Sequence, residues 1–112
     1  MQVKYFNRIF DKATSAKTVD NVINLYSDIL SISVDGTFSA LQLKILGKAT
    51  KETATFTELA AINMTSFDIV NTITAKGVYE VAAEGICIFK FQITSISGGN
   101  ATVDIRLVST GV

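Results

Sequence analysis

From Asp20 onward the chain is a succession of short runs of Val, Ile, Leu, Thr, Phe and Tyr separated by Gly, Asn, Asp and Ser, and proline is absent from all 112 residues. β-Branched and aromatic side chains pack well on a pleated, half-buried surface, while Gly, Asn and Asp tolerate the backbone of tight turns, so this alternation predicts strands. The runs place strands at residues 22–26, 29–34, 38–46, 53–58, 67–73, 78–82, 86–94 and 101–108. About eight short antiparallel strands must bury one face against a second sheet, which predicts an all-β fold, an antiparallel β-sandwich or jelly roll.

Hydrophobic residues make up 48% of the chain and charged residues 18%, too apolar for disorder. The longest apolar runs, such as residues 86–89, fall far short of the ~20 needed for a membrane-spanning helix, so a soluble domain with one core is expected. The first residues show no apolar stretch followed by a small-residue cleavage site, which points to a cytoplasmic protein. Cys87 is the one cysteine and lies in an apolar run, where a free thiol behaves as a small hydrophobe.

Two turns predict register. A two-residue turn at Asp35-Gly36 pairs Val34 with Thr37, Ile32 with Ser39 and Leu30 with Leu41, placing Leu30, Ile32 and Val34 on the side of Leu41, Leu43 and Ile45. At Gly98-Gly99-Asn100 a two-residue loop would set Asp104 on the apolar side. A three-residue loop pairs Ile93 with Ile105, Phe91 with Leu107 and Ser95 with Val103. Phe89, Phe91 and Ile93 then face Val103, Ile105 and Leu107 in the core.

Residues 1–20 behave differently. Val3, Phe6, Phe10 and Ala13 recur at helical spacing, and residues 13–18 are small and polar, so the segment reads as a short N-terminal helix or arm attached to a sandwich domain at 21–112. Either it docks on its own domain, or its aromatic groups Tyr5, Phe6 and Phe10 pack on a neighbouring subunit.

The composition excludes the common catalytic and metal-binding arrangements. Without histidine there is no Ser-His-Asp or Cys-His nucleophile and no histidine metal site, and one cysteine cannot form a Cys-x-x-Cys motif. Leu46-Gly47-Lys48-Ala49-Thr50 resembles the end of a phosphate loop, but Gln42 stands where that loop needs Gly and Ala49 where it needs Ser or Thr; Gly47-Lys48 is better read as a turn leaving a strand. Asp68, Glu80, Glu84 and Asp104 include no pair marked out for glycoside hydrolysis: Glu80 alternates as a solvent-facing strand residue, and Glu84-Gly85 reads as a turn. No catalytic residue, cofactor or metal is expected. Ten basic and ten acidic side chains cancel and are interleaved, so neither a nucleic acid nor a membrane surface is an expected partner.

From Gly77 the sequence reads Gly77-Val78-Tyr79-Glu80-Val81, then Gly85, then Phe89-Lys90-Phe91-Gln92-Ile93, then Gly98-Gly99-Asn100-Ala101-Thr102-Val103. This resembles the small β-sandwich accessory proteins of tailed bacteriophage virions, which decorate capsids or form tail and fibre parts, over about residues 27–108. Members of that group often carry Trp after their second hairpin, where this chain has Phe56-Thr57-Glu58-Leu59. The resemblance implies a non-enzymatic virion structural protein, assembled in the host cytoplasm in many copies, with itself and other virion structural proteins as partners.

The registers above turn Phe38, Leu46, Ile86 and Ile88 outward. Together with Tyr5, Phe6 and Phe10 they form the expected assembly interface of a homo-oligomer, because large exposed apolar patches on soluble domains mark contact surfaces. A carbohydrate- or ligand-binding sandwich module is the competing reading, with Tyr26 and Tyr79 as candidate stacking residues.

Overall fold

The computed structural model describes residues 2–52 and 55–110, and of residues 2–5 the backbone alone. Among these residues the fold is all β. The strands in chain order are β1 (Gln2–Ala13), β2 (Lys17–Ile23), β3 (Ile29–Thr37), β4 (Ala40–Lys48), β5 (Thr57–Glu58), β6 (Ala61–Asn63), β7 (Ile69–Val70), β8 (Gly77–Ala82), β9 (Ile88–Ser97) and β10 (Asn100–Ser109). They form two antiparallel sheets, one of six strands in the order β1-β10-β3-β8-β6-β7 and one of four in the order β2-β9-β4-β5. The expected sandwich is therefore observed.

Its core lies between the sheets. Leu30, Ile32, Val34, Tyr79, Val81, Val103, Ile105 and Leu107 line the inner face of the six-stranded sheet, opposite Leu41, Leu43, Ile45, Phe89, Phe91 and Ile93. All are buried, and the Phe89 and Phe91 rings stack at a centroid distance of 6.1 Å. Every residue that the two registers assigned to the core is there.

The registers themselves are corrected, because neither turn is a hairpin. β3 pairs with β10 and β8, and β4 pairs with β9 and β5, so the chain crosses from one sheet to the other after Thr37 and again between Ser97 and Asn100. Asp35 and Gly36 lie within β3, opposite Thr102 and Ala101. A hairpin and a crossing both carry alternate residues into one core, so period-two patterning cannot distinguish them. Turn chemistry also misled: Gly36 is a glycine because a Cβ there would overlap the Asn100 carbonyl oxygen, with φ at +124°.

The two crossings nest. Ser39 donates its backbone N–H (3.0 Å) and its hydroxyl (3.1 Å) to the Ser97 carbonyl. A Cβ on Gly98 would overlap the Ser39 hydroxyl, and one on Gly99 the Thr37 carbonyl oxygen.

The N-terminal segment is neither a helix nor a free arm. β1 pairs along its length with β10, from Gln2 opposite Ser109 to Ala13 opposite Ala101. Its register shifts between Val3 and Tyr5, Arg8 and Phe10, and Phe10 and Ala13, with Lys12 at φ +51°. These bulges insert extra residues and bury Ile9, Phe10 and Ala13, imitating the spacing of a helix face in an extended strand. β2 runs across position 20, pairs with β9 and carries a further bulge near Asn21, at φ +58°.

Smaller differences follow from packing. Gly47 and Lys48 end β4 inside the sheet rather than turning away from it, and a Cβ at Gly47 would lie 2.9 Å from both Ile86 Cγ2 and Leu59 Cδ1. Of the stretch 67–73 only Ile69–Val70 is a strand, while buried Ile73 crosses to the other sheet and exchanges backbone hydrogen bonds with Leu43 at 2.8 and 2.9 Å. Within the expected strand 53–58, positions 53 and 54 lie outside the described residues.

Phe91→Ala is expected to lower stability by about 3–5 kcal/mol, the usual result of emptying a well-packed aromatic site. The nested crossings predict a contrast between glycines. Gly85 also has a positive φ, +86°, but no atom lies within 4 Å of an added Cβ. Gly85→Ala should then cost only the left-handed penalty of about 1–2 kcal/mol. Gly99→Ala should cost several kcal/mol because its obstacle is backbone. Urea denaturation of the two variants measures the difference; equal midpoints would contradict the nesting.

Candidate functional site

The residues expected at an assembly interface do not come together. Phe10 and Ile88 are buried within the chain, and Phe38, Leu46 and Ile86 are half-buried, with Phe38 and Ile86 packed against the core. The outward expectation for Ile88 is thus corrected: it and Phe89 are consecutive buried residues at the start of β9. Phe56 lies over the outer face of the four-stranded sheet, with Lys48 Nζ 4.6 Å and Lys90 Nζ 4.4 Å from its ring centre. The Tyr5 side chain lies outside the described residues. Phe6 is exposed, on the outer face of the six-stranded sheet.

That outer face carries the main apolar surface. Register sets Phe6, Arg106, Ser31, Glu80, Ile62 and Ile69 in one row across the six strands. At the β1 end the Arg106 guanidinium sits 5.9 Å from the Phe6 ring centre. Beside it Arg8 Nε donates to Asp104 at 2.9 Å, and this bond and charge hold the Arg8 guanidinium more firmly protonated than usual. At the opposite edge Ile62, Met64, Phe67, Ile69 and Val78 are all exposed, Phe67 and Ile69 by about 70%.

A local turn builds this edge. The Asn63 side-chain oxygen accepts the backbone N–H groups of Thr65 (2.9 Å) and Ser66 (3.2 Å), and the Ser66 hydroxyl accepts that of Asp68 at 3.3 Å. Such Asx and Ser turns replace backbone pairing and reverse the chain in few residues. Phe67, at φ +64°, then leads into β7, so that Ile69 stands opposite Ile62 on the outside. Sequence reasoning passed over these residues, although Ile62-x-Met64 and Phe67-x-Ile69 flanking Thr65-Ser66 show the alternation of a hairpin with one apolar face.

A second feature lies at the loop end of the sandwich, where an open cleft of about 520 Å³ is walled by the β2–β3 loop and the segment before β9. Asn24 organises it: its amide nitrogen lies 2.9–3.1 Å from the carbonyls of Ser27, Ala83 and Ile86, and its oxygen accepts the Ser27 N–H at 3.1 Å. Asp28 accepts the backbone N–H of Thr110 at 2.9 Å and a short hydrogen bond from the Thr110 hydroxyl. These bonds, the hydroxyl's first, hold the Asp28 carboxyl below the ordinary aspartate range. Cys87 is half-buried in this wall, just before β9.

Of the two tyrosines weighed for stacking, only Tyr26 is available, 92% exposed at the cleft. Tyr79 is buried and donates its hydroxyl to the Ala75 carbonyl at 2.8 Å; burial raises its pKa above the usual value. Among the described residues no group of three or more His, Cys, Asp or Glu side chains gathers as a metal site.

No protein-family model matches the sequence, and no curated protein matches it. Solved structures do. The fold superposes on the SPBc2 prophage-derived protein YomS with a TM-score of 0.81 and 20% identity, over 94% of this chain and 92% of that one. It also superposes on the PBSX exported protein XepA with a TM-score of 0.78 and 17% identity, covering 91% of this chain but 36% of XepA. The chain shares the fold of both proteins and spans about a third of the second.

The Asp28–Thr110 pair predicts a pH effect. Because the folded carboxyl titrates below its ordinary value of 3.8, the unfolded chain takes up the proton first as pH falls. The stabilisation is present at neutral pH and is lost below about pH 4. Thermal melts from pH 6 to 2 should show a shallower acid decline for Asp28→Asn than for the parent; parallel curves would mean that the pair forms no better in the folded chain.

Proposed function

We propose that this chain is a non-enzymatic structural protein of a bacteriophage particle, a capsid-decoration, tail or fibre component, that works by assembling with copies of itself and with other virion proteins. The observation that carries the reading is the apolar edge formed by Ile62, Met64, Phe67, Ile69 and Val78 on the six-stranded sheet. Exposed apolar side chains grouped on one sheet edge lower their free energy by meeting another protein surface. The fold likeness to the prophage-derived protein YomS supports the phage setting. Assembly in the host cytoplasm and residence in the virion follow from the same reading.

The occupant of this edge is a second copy of the chain. Ten acidic and ten basic residues leave no net charge to repel like subunits. β7 contributes only Ile69–Val70 to the sheet edge, so little backbone pairing is on offer and side-chain burial must supply the contact. Along the same face lie Ser31 and Ser33, small residues that line a shallow hollow of about 230 Å³ between Phe6 and Val78.

Light scattering on the purified chain should give a mass several times that of the 12.1 kDa subunit, falling to one subunit for Phe67→Asp and Ile69→Asp. Both sites are surface positions, so circular dichroism should show both variants folded. A parent that stays monomeric at high concentration and does not sediment with phage particles would refute the assignment.

A further inference from the structure

We propose that the cleft beneath Tyr26 is a binding site for a neutral saccharide. Tyr26 displays its ring almost wholly to solvent from a backbone at φ +66°, a conformation that costs a bulky side chain free energy and yields it no packing. The loop that presents it is held at its base by the hydrogen bonds of Asn24, so the Tyr26 backbone is fixed at the rim of the cleft. Strain kept at an exposed aromatic residue beside a cleft is the pattern of a site built for a ligand.

The lining gives the ligand its chemistry. Asp28 and Glu84 supply carboxylates and Ser109 a hydroxyl, and neither Lys nor Arg is among the lining residues. Anions are therefore disfavoured, and a polyhydroxyl ligand finds acceptors for its O–H groups, with charge-assisted hydrogen bonds to the carboxylates. Ser27 is 3% exposed and its hydroxyl has no hydrogen-bond partner within the protein. A buried hydroxyl left unpaired is costly, and with its oxygen closed off from solvent it lies behind the cleft wall and not on it. The apolar C–H face of a pyranose ring matches the face of Tyr26, and the cleft lies in the size range of small-ligand sites.

The test is an array of neutral oligosaccharides containing glucose, galactose, mannose and N-acetylglucosamine, probed with the full chain. Positive hits are followed by amide chemical-shift titration. The parent should bind at least one of them. Tyr26→Gly and Tyr26→Asn, both suited to the positive φ, should melt at or above the parent temperature while weakening binding at least tenfold. Ser27→Ala, which removes a hydroxyl behind the wall, should leave binding unchanged. Absence of any saccharide binding overturns the proposal, as does binding that survives loss of the Tyr26 ring. So does a cleft whose amides respond to calcium chloride alone or to phosphatidylcholine vesicles rather than to sugars. Ile69→Asp should leave saccharide binding intact, so this site and the assembly edge stand or fall separately.

Discussion

The contact on which the rest of the fold depends is the one between the two places where the chain changes sheet. Ser39 reaches the Ser97 carbonyl with both its backbone N–H and its hydroxyl, and Gly98 and Gly99 leave no room between the crossings for even one methyl group. Because these corners are locked together, β3 is delivered to β10 and β4 to β9 in matched register, with Thr37 opposite Asn100 and Ala40 opposite Ser97. From that point each pair runs down its own sheet, and the inner faces meet as Leu30, Ile32 and Val34 against Leu41, Leu43 and Ile45. The corners set the register; burial of apolar surface supplies the driving force.

The two ends of the sandwich and its outer faces are made by different means. The corner end uses glycines to bring backbone against backbone. The opposite end uses one side chain, Asn24, to tie three carbonyls that no strand satisfies. On the outer face of the six-stranded sheet, charged groups near β1 and β10 find partners, as Arg8 does with Asp104. The edge at β6 and β7 is left apolar. This division of labour is why functional readings attach to the Tyr26 loop and to the β7 edge, and not to the middle of either sheet.

How much of this was legible in the sequence depends on what alternation encodes. Side-chain period two reports which residues face the core, and it placed Phe89, Phe91, Ile93, Val103, Ile105 and Leu107 correctly. It does not report which strand lies alongside, so crossings at Gly98-Gly99 and after Thr37 read as hairpins. At the N-terminus the bulges around Phe10 and Lys12 broke the period and produced a helical spacing in a strand. For the candidate sites the signal was thinner. Phe6, read as part of a helix or arm, lies exposed on a strand of the six-stranded sheet, Ile88 is covered within its own chain, and Ile62, Met64, Phe67 and Ile69 became a surface only through the Asn63 turn. Of the two tyrosines, Tyr79 sits in a strand and reads as packed at the core edge, where it is found, while Tyr26 has no such alternation to mark its exposure.

The pairing of β1 with β10 has a consequence for how the molecule comes into being. Arg8 and Asp104 are 96 positions apart, and Phe10 meets Val103 across a comparable gap. Contacts so distant along the chain are closed late, after most of the loop entropy has been spent, and folds dominated by them form slowly. During synthesis β1 emerges long before the strand that receives it, and its Ile9 and Phe10 then have no core to enter. The charges of Arg8, Asp11 and Lys12 on either side of those residues, and the bulges that bend the strand, act over that interval as guards against pairing with the wrong neighbour.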